Sequence, residues 1–409
     1  DTIVVGRFVG KQALAAVGGS ASQIANLIVG FFVGLSSGAS VVISQFYGAK
    51  DKKNLSKALH TAFAFSIAAG IVLTVVGIFL TRSALLLMKT PADVVEDSAV
   101  YLHIYFGGMV FNLVYNMGAA ILRAVGDSKR PLYVLIITCV LNIILDLLFV
   151  VAFGMGVIGV AVATVTSQVI SALIVTVMLL KTREIYVLKI NQIRFDRRML
   201  FSVLRIGIPA GLESVMYNIS NIVIQVFVNN LGTDTVAAWG TLGKIDAIFW
   251  MVINAFAISI TTFVGQNYGA GKKERIRTGI REGVILTILI NIPLALMLLC
   301  IPEFLTSFML NDASIISYTR DFLAFTGICL FPLGWLFVFR NGCQGMGHTF
   351  VPMLSGVLEV SLRVVMVKLL TPYLAFRGVA LAEVSAWIGA WIMLMITYWI
   401  YQERTDSFR

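Results

Sequence analysis

Charged side chains are scarce in this sequence. Asp, Glu, Lys and Arg make up 13% of its 409 residues, about half the share of an ordinary soluble domain. Hydrophobic residues make up 58%. A soluble enzyme is excluded, and a membrane protein with many spans is implied. Cysteine is also scarce. Cys139, Cys300, Cys329 and Cys343 sit in or at the ends of apolar stretches and form no C-x-x-C pair. That argues against a disulfide framework and a metal site. His60, His103 and His348 are too scattered to show ligand spacing. No Walker A or H-E-x-x-H motif occurs, so the expected energy source is an ion gradient and not bound nucleotide. No cofactor is expected. The net charge of +10 comes with no nucleic-acid motif, and basic residues collect in the cytoplasmic loops of membrane proteins. Alternating segments of about ten residues, the mark of a membrane β-barrel, are absent. So is a channel-type filter loop.

What is present is a series of long apolar runs. They lie at roughly 1–9, 15–47, 55–82, 94–122, 131–153, 157–180, 199–230, 236–268, 276–301, 315–344, 350–373 and 378–402. Several exceed the roughly 20 residues that cross a bilayer, so tilted or bent helices are expected. The first run opens at Asp1-Thr-Ile-Val-Val-Gly-Arg7 without an initiator Met. It reads as the second half of a helix.

Loop charge sets an orientation. One set of loops holds Lys50, Lys52, Lys53 and Lys57, then Arg123, Lys129 and Arg130, then the six basic residues of Lys181–Arg198, and then Lys272, Lys273, Arg275 and Arg277, with Arg340, Arg404 and Arg409 beyond. The alternate loops hold Arg7, Lys11, Arg82, Lys89 and Arg377. The excess places the first set and the C-terminus in the cytoplasm, with the chain in the cell (plasma or inner) membrane.

The sequence repeats itself. Gln45-Phe-Tyr47-Gly48-Ala49 matches Gln266-Asn-Tyr268-Gly269-Ala270, 221 residues on, and Gly126 with Pro131 matches Gly347 with Pro352. Gly10 matches Gly232, and Gly159 matches Gly378, at nearly the same offset. The unit is six helices. An even number preserves orientation, so two parallel repeats are expected, with a central cavity and rocking between inward- and outward-open states. The expected division is an N-terminal lobe at 1–180, a basic linker at 181–198, a C-terminal lobe at 199–402 and a tail at 403–409.

Intramembrane acids carry the chemistry. In Pro131–Phe153, Asn142 and Asp146 stand one turn apart on a face that Thr138 extends. An ionised Asp at mid-membrane depth costs about 2.5–3.5 kcal/mol on insertion scales, and such residues commonly handle ions. Asp1 is the other acid of this half. The second half has Glu213, Asp246, Glu359 and Glu383 as secondary candidates. Arg363, four residues after Glu359, is placed to neutralise it. Glu213 reads as favoured by a nearby helix start. Glu383 reads as lying close enough to the outer end of its span for water to reach it. Gly30, Gly34 and Gly38 have the spacing that lets membrane helices approach closely. Ser36 completes a formal G-x-S-x-G match, but inside a membrane helix with no His partner, so it reads as packing.

These residues resemble a known family. Asp1-Thr-x-x-Val-Gly-Arg7, Gln45-x-Tyr47-Gly48-Ala49, Leu122-Arg123-x-x-Gly126-Asp127-Ser128-x-x-Pro131, Asn142-x-x-x-Asp146 and Gly154-Met-Gly156-Val-x-Gly159 follow the order of the multidrug and toxic compound extrusion (MATE) family. The resemblance implies a twelve-helix, all-α, two-lobe antiporter that expels cationic or amphipathic small molecules against H⁺ or Na⁺. It also implies an N-lobe cation or proton site at Asp1, Asn142, Asp146 and Thr164. Members of the NorM branch add a Glu where Tyr217 stands here, and an Asp in the tenth span, where only Asp321 occurs. A C-lobe cation site of that type is therefore not expected. Counting along the repeat, Arg363 stands opposite Asn142, and no acid stands opposite Asp146, so the ion chemistry is expected to be asymmetric. The chain is expected to act as a monomer. The alternative is a lipid-linked oligosaccharide flippase of the same superfamily. That would need a cavity lined by Arg, and Arg363 is the main Arg at membrane depth.

Overall fold

The computed structural model describes residues 2–307 and 312–406, except the side chains of residues 313 and 401–406. Asp1 lies outside the described residues. Helices account for nearly all of the rest, and no strand occurs among the described residues.

The chain divides into two compact units, Asp1–Gly211 and Leu212–Arg409. The first holds α1 (Thr2–Phe8), α2 (Lys11–Gly18), α3 (Ser20–Gly48), α4 (Lys52–Leu87), α5 (Val95–Gly107), α6 (Met109–Ala124), α7 (Lys129–Leu147) and α8 (Gly156–Lys181). The division falls inside α9 (Arg197–Asn229) and not at the basic linker. The second unit continues with α10 (Thr233–Gly269), α11 (Lys273–Cys300), α12 (Pro302–Ser307), α13 (Ala313–Ile328), α14 (Leu330–Gly345), α15 (Phe350–Leu374) and α16 (Phe376–Asp406). Among the described residues nine helices are long and apolar enough to cross a membrane, or eleven when two bent pairs count as single spans.

The internal repeat is written into the backbone. The α5–α6 pair bends by 51° and the α13–α14 pair by 49°. The bends fall at Gly108 and Cys329, 221 residues apart. Both α3 and α10 end on a Gly, at Gly48 and Gly269, and α4 and α11 open at Lys52 and Lys273, again 221 apart. The turns that precede α7 and α15 contain Gly126 (φ 94°) and Gly347 (φ 85°). Only glycine adopts that left-handed conformation without strain, so both repeats keep it there. The bent pairs are the bends expected from over-long apolar runs.

Each unit is held by its own core. In the first, Ile43, Leu55, Leu59, Ile121, Leu122 and Leu179 are fully buried between α3, α4, α6 and α8. In the second, Leu242, Phe322, Leu323, Leu336 and Val379 play that part between α10, α13, α14 and α16. The outer faces are apolar too, with Ile71, Val72, Phe79 and Leu80 exposed on α4. In a bilayer such side chains meet lipid, which is as apolar as they are.

The glycine stripe on α3 packs as its spacing suggests. A Cβ on Gly34 would lie 2.5 Å from the Cα of Gly211, and one on Gly38 would lie 2.5 Å from the amide nitrogen of Gly207. Two glycines on α3 thus face two on α9, and the backbones approach in a way no larger residue permits. Ser36 lies between them and donates to the Phe32 carbonyl at 3.0 Å. Its hydroxyl is thus engaged by the backbone of its own helix.

Candidate functional site

Helix α7 shows how the N-terminal acid is placed. Its buried positions, Pro131, Val134, Thr138 and Asp146, form one stripe at helical spacing, and most of the other residues face outward. Asn142 lies on the same stripe and is half-buried. Asp146 is 0% exposed. Thr138 closes the stripe locally by donating to the Val134 carbonyl at 2.9 Å. Directly after Asp146 and Leu147, the α-helix widens into a π-helical turn, Leu148–Ala152. Such turns inside a helix often mark functional sites, because they release or redirect backbone groups. Neither hydropathy nor spacing announces this turn.

Helix α8 packs along α7 and over the π turn. Gly159 permits it: a Cβ there would lie 3.1 Å from the Phe149 backbone carbon. Thr164 is half-buried on α8. One turn on, the Ser167 hydroxyl and the Gln168 side-chain oxygen are buried with no hydrogen-bond partner among the described residues. From α5, Tyr101 is close enough to Asp146 to interact with it electrostatically. Tyr105 stacks on Tyr101 with ring centroids 6.1 Å apart, and Gln168 is Tyr105's neighbour. Tyr101, Tyr105, Ser167 and Gln168 were not legible as site residues. Tyrosine in a membrane span is common, and only folding brings Tyr101 near the acid and Gln168 beside Tyr105. Of the four residues singled out in this half, Asn142 and Asp146 share one face, Thr164 lies on the adjacent helix and Asp1 is outside the described residues.

The C-terminal unit corrects three readings of its acids. Glu359 does not pair with Arg363 one turn on. It accepts from Arg340 at 2.6 Å, and Arg340 also holds Glu213 at 2.8 Å. Arg363 turns instead to Glu383, its Nε donating at 2.7 Å, and to Asn221 at 2.7 Å. Glu383, expected within reach of water, is 4% exposed. Glu213, expected close to a helix start, lies deep in α9, which begins at Arg197. Arg340, counted above among loop residues, is buried in α14. Local spacing failed here because a long guanidinium reaches across helices to whichever carboxylate shares its depth. A buried charge needs a partner wherever that partner comes from.

Aromatic rings join the two ion clusters. The Arg363 guanidinium lies 5.1 Å from the centre of the Tyr217 ring. Tyr217 meets Trp250 edge-on at 5.4 Å, Trp250 meets Phe337 at 5.6 Å, and Arg340 lies 5.5 Å from the Phe337 centre. Cation–π contacts of this kind strengthen in desolvated sites. Asp246, half-buried on α10, interacts electrostatically with Glu383 and Arg363. The network thus gathers four carboxyl groups and two guanidinium groups. Asp321 is apart from it, paired at 2.9 Å with exposed Arg377. Among the described residues no three His, Cys, Asp or Glu side chains are grouped to hold a metal ion.

The profile of the MatE family matches residues 1–148 and 209–369. The chain belongs to this family, whose members are transporters. It is 32% identical over 333 residues to the probable multidrug resistance protein YoeA of Bacillus subtilis, covering 79% of this chain and 71% of that one. It is 25% identical over 395 residues to the probable multidrug resistance protein NorM of Thermotoga maritima, covering 95% and 83%. In fold it is similar to a multidrug resistance MATE family transporter of the MOP superfamily, solved in an outward-facing conformation. There the TM-score is 0.90, the identity 22% and the coverage 99% and 90%. The MATE fold is therefore the all-α architecture of two six-helix repeats described above, in a multi-pass membrane protein.

Proposed function

We propose that this MATE protein is a secondary antiporter that exports cationic or amphipathic compounds, multidrug substrates among them, in exchange for H⁺ or Na⁺. The observation that carries the reading is Asp146, a carboxyl group fully removed from solvent on the stripe it shares with Asn142 and Thr138. An acid kept at that depth is suited to take up and release a cation. In this reading H⁺ or Na⁺ is held at Asp146 with Asn142, Thr164 and Asp1 as the other ligands. The ion binds two conformations of the protein with different affinity, and that difference drives alternating access by rocking of the two halves. The relatives' names, as multidrug resistance proteins, support the substrate class.

The second unit takes part differently in this reading. Glu213, Asp246, Glu359 and Glu383 outnumber Arg340 and Arg363 by two. The network therefore balances its charge when it holds protons or a cationic substrate. The flippase alternative is disfavoured by the same pairing. Among the described residues two Arg are buried, Arg340 and Arg363, but each is engaged by carboxylates and leaves no positive surplus for an anionic head group. The proposed setting is the plasma membrane, with the C-terminus on the cytoplasmic side and a single chain as the working unit.

The test is efflux of a cationic dye from everted vesicles under separately imposed proton and sodium gradients. Asp146→Asn, at equal expression, is expected to abolish gradient-driven efflux while the protein still folds. Unchanged efflux would make Asp146 structural and overturn the reading.

A further inference from the structure

The linker between α8 and α9 is a fixed surface. The Lys189 amide donates to His60 Nε2 at 2.9 Å, and the Asp196 amide donates to Thr61 Oγ1 at 3.1 Å. Tyr186 and Leu188 are buried in the core of the first unit. Between the linker and the first turns of α4 lies an open cavity of about 290 Å³.

The polar groups of this cavity divide into two classes. His60 is engaged at both ring nitrogens, by the Ser56 carbonyl at 2.6 Å and the Lys189 amide. Thr61 donates to the Arg194 carbonyl at 3.3 Å. The Asp196 carboxylate is held by Lys57 at 3.3 Å and by the Arg198 and Met199 amides at 3.1 and 3.2 Å. The unengaged groups are donors. The Arg194 guanidinium makes no hydrogen bond or ion pair among the described residues, and neither does the Gln192 amide nitrogen. Lys57 uses one oxygen of Asp196 and has further N–H groups to offer.

Donors and a cationic fork lining one cavity call for an anion with several acceptor oxygens, and phosphate is such an anion. The surroundings are basic as well. The segment Lys181–Arg198 has six basic residues against Glu184 and Asp196, and Lys50, Lys52 and Lys53 stand at the start of α4. The same linker exposes apolar side chains, Ile190 at 71% and Phe195 at 52%, and Phe195 lines the cavity. Basic and exposed apolar residues at the ends of membrane helices are the composition of a lipid-headgroup site.

We propose that this cavity binds the phosphate of an anionic phospholipid, with Arg194 as its fork and Gln192 and Lys57 as further donors. The lipid's glyceride end lies toward Phe195.

The test uses the full chain in neutral detergent, titrated with short-chain phosphatidylglycerol, short-chain phosphatidylcholine and inorganic phosphate, with binding read by native mass spectrometry. Phosphatidylglycerol is expected to bind more tightly than phosphatidylcholine, and more weakly at high salt. Arg194→Gln is expected to weaken phosphatidylglycerol about fivefold. Gln192→Ala is expected to weaken it less, and Arg183→Gln, on the linker but outside the cavity, to leave it unchanged. Arg194 is exposed and its guanidinium has no partner among the described residues, so its replacement leaves the fold intact. Equal binding of phosphatidylcholine, or an unchanged Arg194→Gln, would overturn the proposal. So would an equal loss in Arg183→Gln, which would indicate diffuse charge only. Inorganic phosphate displacing the lipid at equal concentration would reassign the cavity to a soluble anion.

Discussion

Arg363 reaches across from α15 to Glu383 on α16, its Nε 2.7 Å from the carboxylate, and leaves Glu359 on its own helix to Arg340. The arrangement has a direct energetic consequence. Removing one partner of a buried ion pair leaves the other charge uncompensated, at a cost of about 3–5 kcal/mol. Glu383→Leu is therefore expected to lower the unfolding temperature in detergent sharply. Arg363→Leu combined with Glu383→Leu should recover most of the loss, because two apolar side chains fill the place of the pair. A double variant no more stable than the single one would show that Asn221 and Tyr217, and not Glu383, hold Arg363.

The α3–α9 contact predicts a contrast between glycines. Gly34→Ala would force its new methyl into the Gly211 backbone. Overpacking of this kind costs about 1–3 kcal/mol. A Cβ on Gly243, in α10, meets nothing within 4 Å. Gly243→Ala is expected to be neutral or to stabilise by up to about 1 kcal/mol through backbone entropy. Thermal unfolding of the two variants side by side decides it. Equal behaviour would mean that the close approach is not needed for stability.

Asp196 stands outside the spans and predicts a pH dependence. Its carboxylate accepts from the Met199 amide and pairs with Lys57, and both hold it below the usual carboxylate range. The unfolded value is about 3.9. Because the folded value lies below it, the stabilisation is complete above the unfolded value and is lost as pH falls through the folded one. Hydrogen exchange should show the Met199 amide losing protection as pH falls below about 4. In Asp196→Asn the side-chain amide oxygen still accepts from the Met199 amide, so protection should persist and the step should vanish. A persistent step in the variant would assign the titration to another group.

Much of the fold was legible because a bilayer imposes simple demands. An apolar run must be long enough to cross, and its backbone must be hydrogen-bonded within itself. The repeat was equally legible, since Gly126 and Gly347 serve the same left-handed turn in both halves. The stripe of Thr138, Asn142 and Asp146 could be read because i and i+4 on one helix are set by local geometry alone.

The same rule misled at Glu359 and Arg363, where i+4 spacing offered a pair that the tertiary structure does not make. The residues around Asp146 were hidden for a related reason. Tyr101 and Gln168 come from other helices, and nothing in their own segments sets them apart. The sequence by itself determined the spans, the repeat and the face on which the buried acid lies, all consequences of helical periodicity and hydrophobic length. Only the tertiary structure decided which carboxylate neutralises which guanidinium and how the linker lies on α4. Those depend on side chains meeting from positions 19 to 136 residues apart, a distance at which local spacing carries no information.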